Sequence, residues 1–66
     1  MTYSEKIRSA RETLLMTQEE IASELGVTPI TVCRWETGKT EPSIKARKAF
    51  RDLCERNGLT FDNNNG

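Results

Sequence analysis

Between residues 17 and 37 the chain starts a helix, stops it and starts another with almost no linker, and this punctuation constrains the fold more than any other feature. Thr17-Gln18-Glu19-Glu20 fits a capping box. In that motif the threonine oxygen accepts the amide three residues on, and the glutamate reaches back to the threonine amide. Met16 stands just before the box, placed to staple onto Ile21. Ile21, Ala22 and Leu25 form one apolar face, and Gly26 follows at once. A helix that ends in a left-handed residue favours glycine there, because glycine has no Cβ to clash. Thr28 is then a good N-cap, and Pro29 occupies the first helical position, where its missing N–H is no loss. Val32 and Trp35 give this second helix its inward face, and Thr37-Gly38 ends it.

The flanking sequence supplies two more helices. Thr2-Tyr3-Ser4-Glu5 fits another capping box, and Tyr3, Ile7, Ala10 and Leu14 recur at helical spacing, which predicts a helix over about residues 3–14. Lys39 to Pro42 reads as loop. Ser43 caps a last helix whose stripe is Ala46, Ala49, Phe50, Leu53 and Cys54, with Asn57-Gly58 as its stop. Leu59 and Phe61 are expected to fold back on the core. The chain has 66 residues, which allows one domain, expected over 1–61. The polar residues 62–66, with Asn63, Asn64 and Asn65 in succession, are expected to form a disordered tail. A chain this short buries only about 60% of its unfolded surface, so the core is small.

Seven positions in this window agree with one geometry. Ile21, Leu25, Val27, Val32 and Trp35 are apolar where two crossing helices must pack, Ala22 is small at the crossing, and Gly26 makes the turn. This is the helix-turn-helix unit. The run from Thr17 to Val27 resembles helix 2 and the turn of the phage repressor and Cro-type (Xre-like) helix-turn-helix family. Val32 to Lys39, followed by Glu41-Pro42-Ser43, resembles that family's recognition helix and following loop, and Ile7, Arg8 and Arg11 are similar to its helix 1. The resemblance covers about residues 3–59. It implies an all-α, compact four-helix, lambda-repressor-like DNA-binding domain, with room for a rudimentary fifth helix. It also implies a partly buried ion pair between Arg11 and Glu36, structural in role.

The second helix of the unit can be read on its own physics. At about 100° per residue, with Val32 and Trp35 inward, the outward face is Ile30, Cys33, Arg34 and Thr37, flanked by Pro29 and Thr31. A major groove admits a helix, and the residues near its N-terminus lie closest to the base edges. Arg34 is the best candidate for a directed base contact, since a guanidinium pairs bidentately with guanine. A phosphate contact or a solvated arginine is the alternative. Exposed Ile30 suits a thymine methyl, although single surface apolar residues are common. The resemblance implies that Pro29 and Ile30 also face bases. Gln18 opens the first helix of the unit, where free amides and the positive helix end attract a phosphate. Thr17, Thr28, Thr31, Thr37, Lys39 and Thr40 are further candidates for phosphate or sugar contacts, which fix register without reading sequence. For Thr17 and Thr28 capping alone is a sufficient explanation.

Charge and composition narrow the class. The net charge is zero, yet from Lys39 to Arg51 the chain carries Lys39, Lys45, Arg47, Lys48 and Arg51 against Glu41 alone, a local charge of +4. A neutral chain can therefore present a basic face. There is no histidine and there are two cysteines, Cys33 and Cys54, too few ligands for structural zinc. Gly38-Lys39-Thr40 resembles the end of a phosphate-binding loop, but that motif needs glycine where Cys33 stands, and a strand before it. Cys54 reads as core. Cys33, on the outward face, reads as a small tolerated residue, with a redox role the less favoured reading. No enzyme activity and no cofactor are expected.

The expected function is sequence-specific transcriptional regulation, as a repressor of the kind found in phages and mobile elements, bound as a homodimer to an inverted repeat of double-stranded DNA. Leu59 to Asp62 begins in the style of a dimerising fifth helix and then gives way to asparagines, which points to a weak or DNA-induced dimer. The alternative is an antitoxin-type or coregulator domain whose main partner is another protein. Met1 to Ala10 has no apolar leader and no segment is long enough to span a bilayer, so a cytoplasmic location with no membrane partner is expected.

Overall fold

Each helix begins where a hydroxyl side chain takes up an amide that the helix itself leaves unpaired. In the computed structural model, which describes residues 1–61, the order is α1 Tyr3–Thr13, α2 Gln18–Leu25, α3 Pro29–Glu36 and α4 Ile44–Arg56. Their N-caps are Thr2, Thr17, Thr28 and Ser43. Both expected capping boxes are complete. The Glu5 amide donates to Thr2 Oγ1 at 3.2 Å and the Thr2 amide to Glu5 Oε1 at 3.0 Å; the corresponding distances at Thr17 and Glu20 are 3.0 and 2.8 Å. The tail over residues 62–66 lies outside the described residues.

The helix ends are as uniform as their starts. After each, one amide reaches back five residues to a carbonyl in the last turn: Met16 to Arg11 at 2.8 Å, Val27 to Ala22 at 2.9 Å, Lys39 to Arg34 at 2.9 Å and Leu59 to Cys54 at 2.8 Å. This Schellman closure requires a left-handed residue just before the donor. Those residues are Leu15, Gly26, Gly38 and Gly58, with φ of 58°, 73°, 79° and 71°. Three are glycine; the fourth is a leucine, and the residue is 89% exposed. α1 therefore stops at Thr13, one residue short of the expected end, with Leu14 as its C-cap.

One face of every helix meets in the middle. Ile7 and Ala10 of α1, Ile21, Ala22 and Leu25 of α2, Val32 and Trp35 of α3, and Ala46, Phe50, Leu53 and Cys54 of α4 make the buried core. Ala22 is 1% exposed, as a small residue must be where α2 and α3 cross. Val27, Ala49 and Met16 cover the core's edges. Leu59 to Phe61 opens no fifth helix. The chain turns at Gly58 and lays Phe61 against Phe50, with ring centroids 6.1 Å apart. Tyr3 meets the same Phe50 edge-on at 6.3 Å, tying the start of α1 to α4. Among the described residues no helix is long and apolar enough to cross a membrane.

Candidate nucleic-acid interface

Burial sorts α3 into two faces along its length. Val32, Trp35 and Glu36 are buried; Pro29, Ile30, Arg34 and Thr37 are exposed; Thr31 and Cys33 lie between. Ile30 keeps 60% of its surface open to solvent, an apolar group one residue into the helix. Arg34 lies one turn further on, on the same side, and forms no ion pair among the described residues. The first turn of α3 holds no acidic residue, whereas α2 begins with Glu19 and Glu20. The positive end of the α3 dipole is thus left uncompensated, which favours an anion there.

The back of α3 is fixed by a carboxylate. Glu36 is the buried acid of the core, 6% exposed. Arg11 grips it bidentately, Nε to Oε2 at 2.7 Å and a terminal nitrogen to Oε1 at 3.1 Å. Gln18 Nε2 donates to the same Oε1 at 3.1 Å, and the Arg8 guanidinium stands 3.7 Å away. Arg11 also donates to the Met16 carbonyl at 3.3 Å, in the turn between α1 and α2. The Ser4 hydroxyl donates to the Glu36 carbonyl at 2.7 Å. Burial alone would push the Glu36 carboxyl up; the hydrogen bonds from Arg11 and Gln18, with the charges of Arg11 and Arg8, outweigh it and hold the carboxyl below its ordinary value. The same hydrogen bond raises the Arg11 guanidinium, against the opposing effect of burial. Three helices are therefore pinned at one point, and the exposed face of α3 is presented at a fixed angle.

This cluster also brings together candidates that are far apart in sequence. Gln18 at the start of α2 is drawn to Glu36 at the end of α3, the residue that precedes Thr37 and the loop holding Lys39 and Thr40. Lys39 and Thr40 are exposed, with their amides donating to the Arg34 carbonyl at 2.9 and 3.5 Å. Thr17 Oγ1 accepts the Glu20 amide and retains its own hydrogen for an outside acceptor. Thr28 accepts the Thr31 amide at 3.4 Å, and the two hydroxyls lie 2.9 Å apart. Thr37 differs: its hydroxyl donates back to the carbonyls of Cys33 and Arg34 at 3.0 and 3.2 Å, so its one hydrogen is already engaged. Ser4, Arg8 and the Gln18 arm of the cluster have no signature in the sequence, because no spacing couples residues 4, 8 or 18 to residue 36.

A sequence model of the helix-turn-helix family matches residues 7–46, from buried Ile7 in α1 to buried Ala46 in α4. No curated protein and no solved structure matches the chain.

Proposed function

The chain belongs to the Xre/Cro-type helix-turn-helix family, and on that premise we propose that it is a transcriptional repressor that binds an inverted-repeat operator as a homodimer, with α3 in the major groove. The observation that carries the reading is the solvent face of α3. An apolar residue and an arginine with no ion pair among the described residues project from one side of a short helix whose other side is locked in place. In this reading Arg34 pairs bidentately with a guanine, Ile30 packs on a thymine methyl and Pro29 abuts the neighbouring base edge. A bidentate arginine–guanine pair is worth about 1–3 kcal/mol of discrimination.

Around that reading face, Gln18, Thr17, Thr28, Thr31, Lys39 and Thr40 hold the sugar-phosphate backbone, and Thr37 joins them by releasing its bond to the helix. Such contacts set register and carry no sequence information. One eight-residue helix spans too few base pairs to single out a site, which is why two copies are required. Their half-sites would lie about 34–36 Å apart, one turn of DNA.

Selection of bound duplexes from a random pool tests this directly. The intact protein should enrich an inverted repeat, and Arg34→Ala should lose preference at one base pair in each half-site while keeping the rest. A pool that never enriches, or an Arg34→Ala protein with unchanged preference, overturns the assignment.

A further inference from the structure

Leu15 is out of place on this surface. It takes a left-handed backbone at φ 58°, the conformation for which the other three helix ends use glycine, and it exposes 89% of itself to water. The backbone is accounted for locally, since the Leu15 amide donates to the Glu12 carbonyl at 3.1 Å and the turn lets Met16 close α1 on Arg11 at 2.8 Å, but that closure asks for no apolar side chain at this position. It stands beside a shallow concavity shared with Leu14, Met16, Ser23, Glu20 and Glu24. One oxygen of Glu20 accepts the Thr17 amide at 2.8 Å and Glu24 meets Arg56 across 3.8 Å at an exposed site, so an apolar knob projects beside two carboxylates that each keep an oxygen free for an outside cation.

At the other end of α1 the chemistry is reversed. Tyr3, Phe50 and Phe61 floor an open hollow of about 300 Å³. Lys6, Arg47 and Arg51 line its rim, against Glu55 as the acid there. The Lys6 ammonium and the Arg47 guanidinium each sit 4.8 Å from the centre of the Tyr3 ring, which holds both charges over the hollow. Arg47 is paired with Glu41 at 3.5 Å, but Lys6 and Arg51 have no carboxylate partner among the described residues. The length of α1, about 16 Å for its eleven residues, separates this hollow from Leu15, so the two surfaces meet only between copies.

We infer that the protein self-associates through this pair of surfaces, the Leu15 knob of one copy entering the aromatic hollow of a second, with Glu20 and Glu24 facing Lys6 and Arg51. Both the apolar fit and the opposite charges favour a second copy of this chain as the occupant. The contact is small, so association is weak, reversible and sensitive to salt.

The test uses the whole chain without DNA, so its outcome leaves the operator reading untouched. As concentration rises, amide resonances of Leu15 and Met16 should move in step with those of Lys6 and Arg51, and the sedimentation coefficient should increase. Leu15→Gly deletes the knob while giving the left-handed position its preferred residue, so a loss of association cannot be laid to unfolding. Arg51→Glu spoils the hollow. Each change should weaken association at least ten-fold. Mixed together, the first variant supplies a hollow and the second a knob, and they should pair one to one. No association of the intact protein, association unaffected by either change, or variants that fail to pair on mixing would each overturn the proposal.

Discussion

Leu15 and Gly26 hold the same place at the ends of α1 and α2, with φ of 58° and 73°, and differ only in the side chain. A Cβ built on Gly26 would meet no atom within 4 Å. The glycine is therefore required by backbone conformation and not by space. Gly26→Ala should lower unfolding free energy by about 1–2 kcal/mol, the cost of a left-handed L-residue. Gly26→Asn should lose less, because asparagine visits that region more readily. Denaturant unfolding of the two variants beside the intact protein checks the order. Equal losses would point to a steric role that the structure does not contain.

Among the elements, the relation that matters most is the one Glu36 imposes on α1, α2 and α3. Its carboxyl is held below the ordinary value in the folded chain, so its charged form contributes stability that is fully present above the unfolded value, about 4.3. That contribution falls away as pH drops through the lower folded value. Glu36→Gln should flatten this acid limb of the stability curve. It should also weaken the fold near neutrality by about 3 kcal/mol, since Arg11 is left without its partner. Unfolding measured in a pH series reads both effects, and an acid limb as steep as before would show that other carboxyls carry it. Burial of Glu36 is not legible from the spacing of apolar residues, and only the resemblance implies a partly buried pair here. Resemblance alone pointed to its pairing with Arg11, and nothing pointed to Gln18 as the second donor.

For the whole molecule, zero net charge conceals an uneven distribution, with cations concentrated from Lys39 to Arg51. DNA affinity should fall linearly on logarithmic axes as salt rises, by about 0.9 per phosphate neutralised. Lys39→Ala should reduce that slope by about one while leaving the preferred sequence unchanged. Arg34→Ala should instead alter the preference. Binding isotherms across a salt series separate the two roles; a slope unchanged by Lys39→Ala removes that lysine from the backbone contacts. The hollow at Tyr3 and the knob at Leu15 also exist only at this scale, since each needs residues from different elements or a surface left open by all of them.

Sequence alone determined the starts of all four helices, three of their four ends and the apolar face of each. Caps and end closures join residues three to five apart, and a stripe follows from the turn of the helix, so these interactions are short-range and the residue types reveal them. Tertiary structure decided the rest. Glu36 gathers partners 25, 18 and 32 residues away, and only packing of the helices brings them within reach. The end of α1, expected at about residue 14 and found at Thr13, is the exception for a related reason. Leucine carries no signal for a left-handed turn, and Leu15 adopts one because Met16 must close α1 while the chain enters the Thr17 cap.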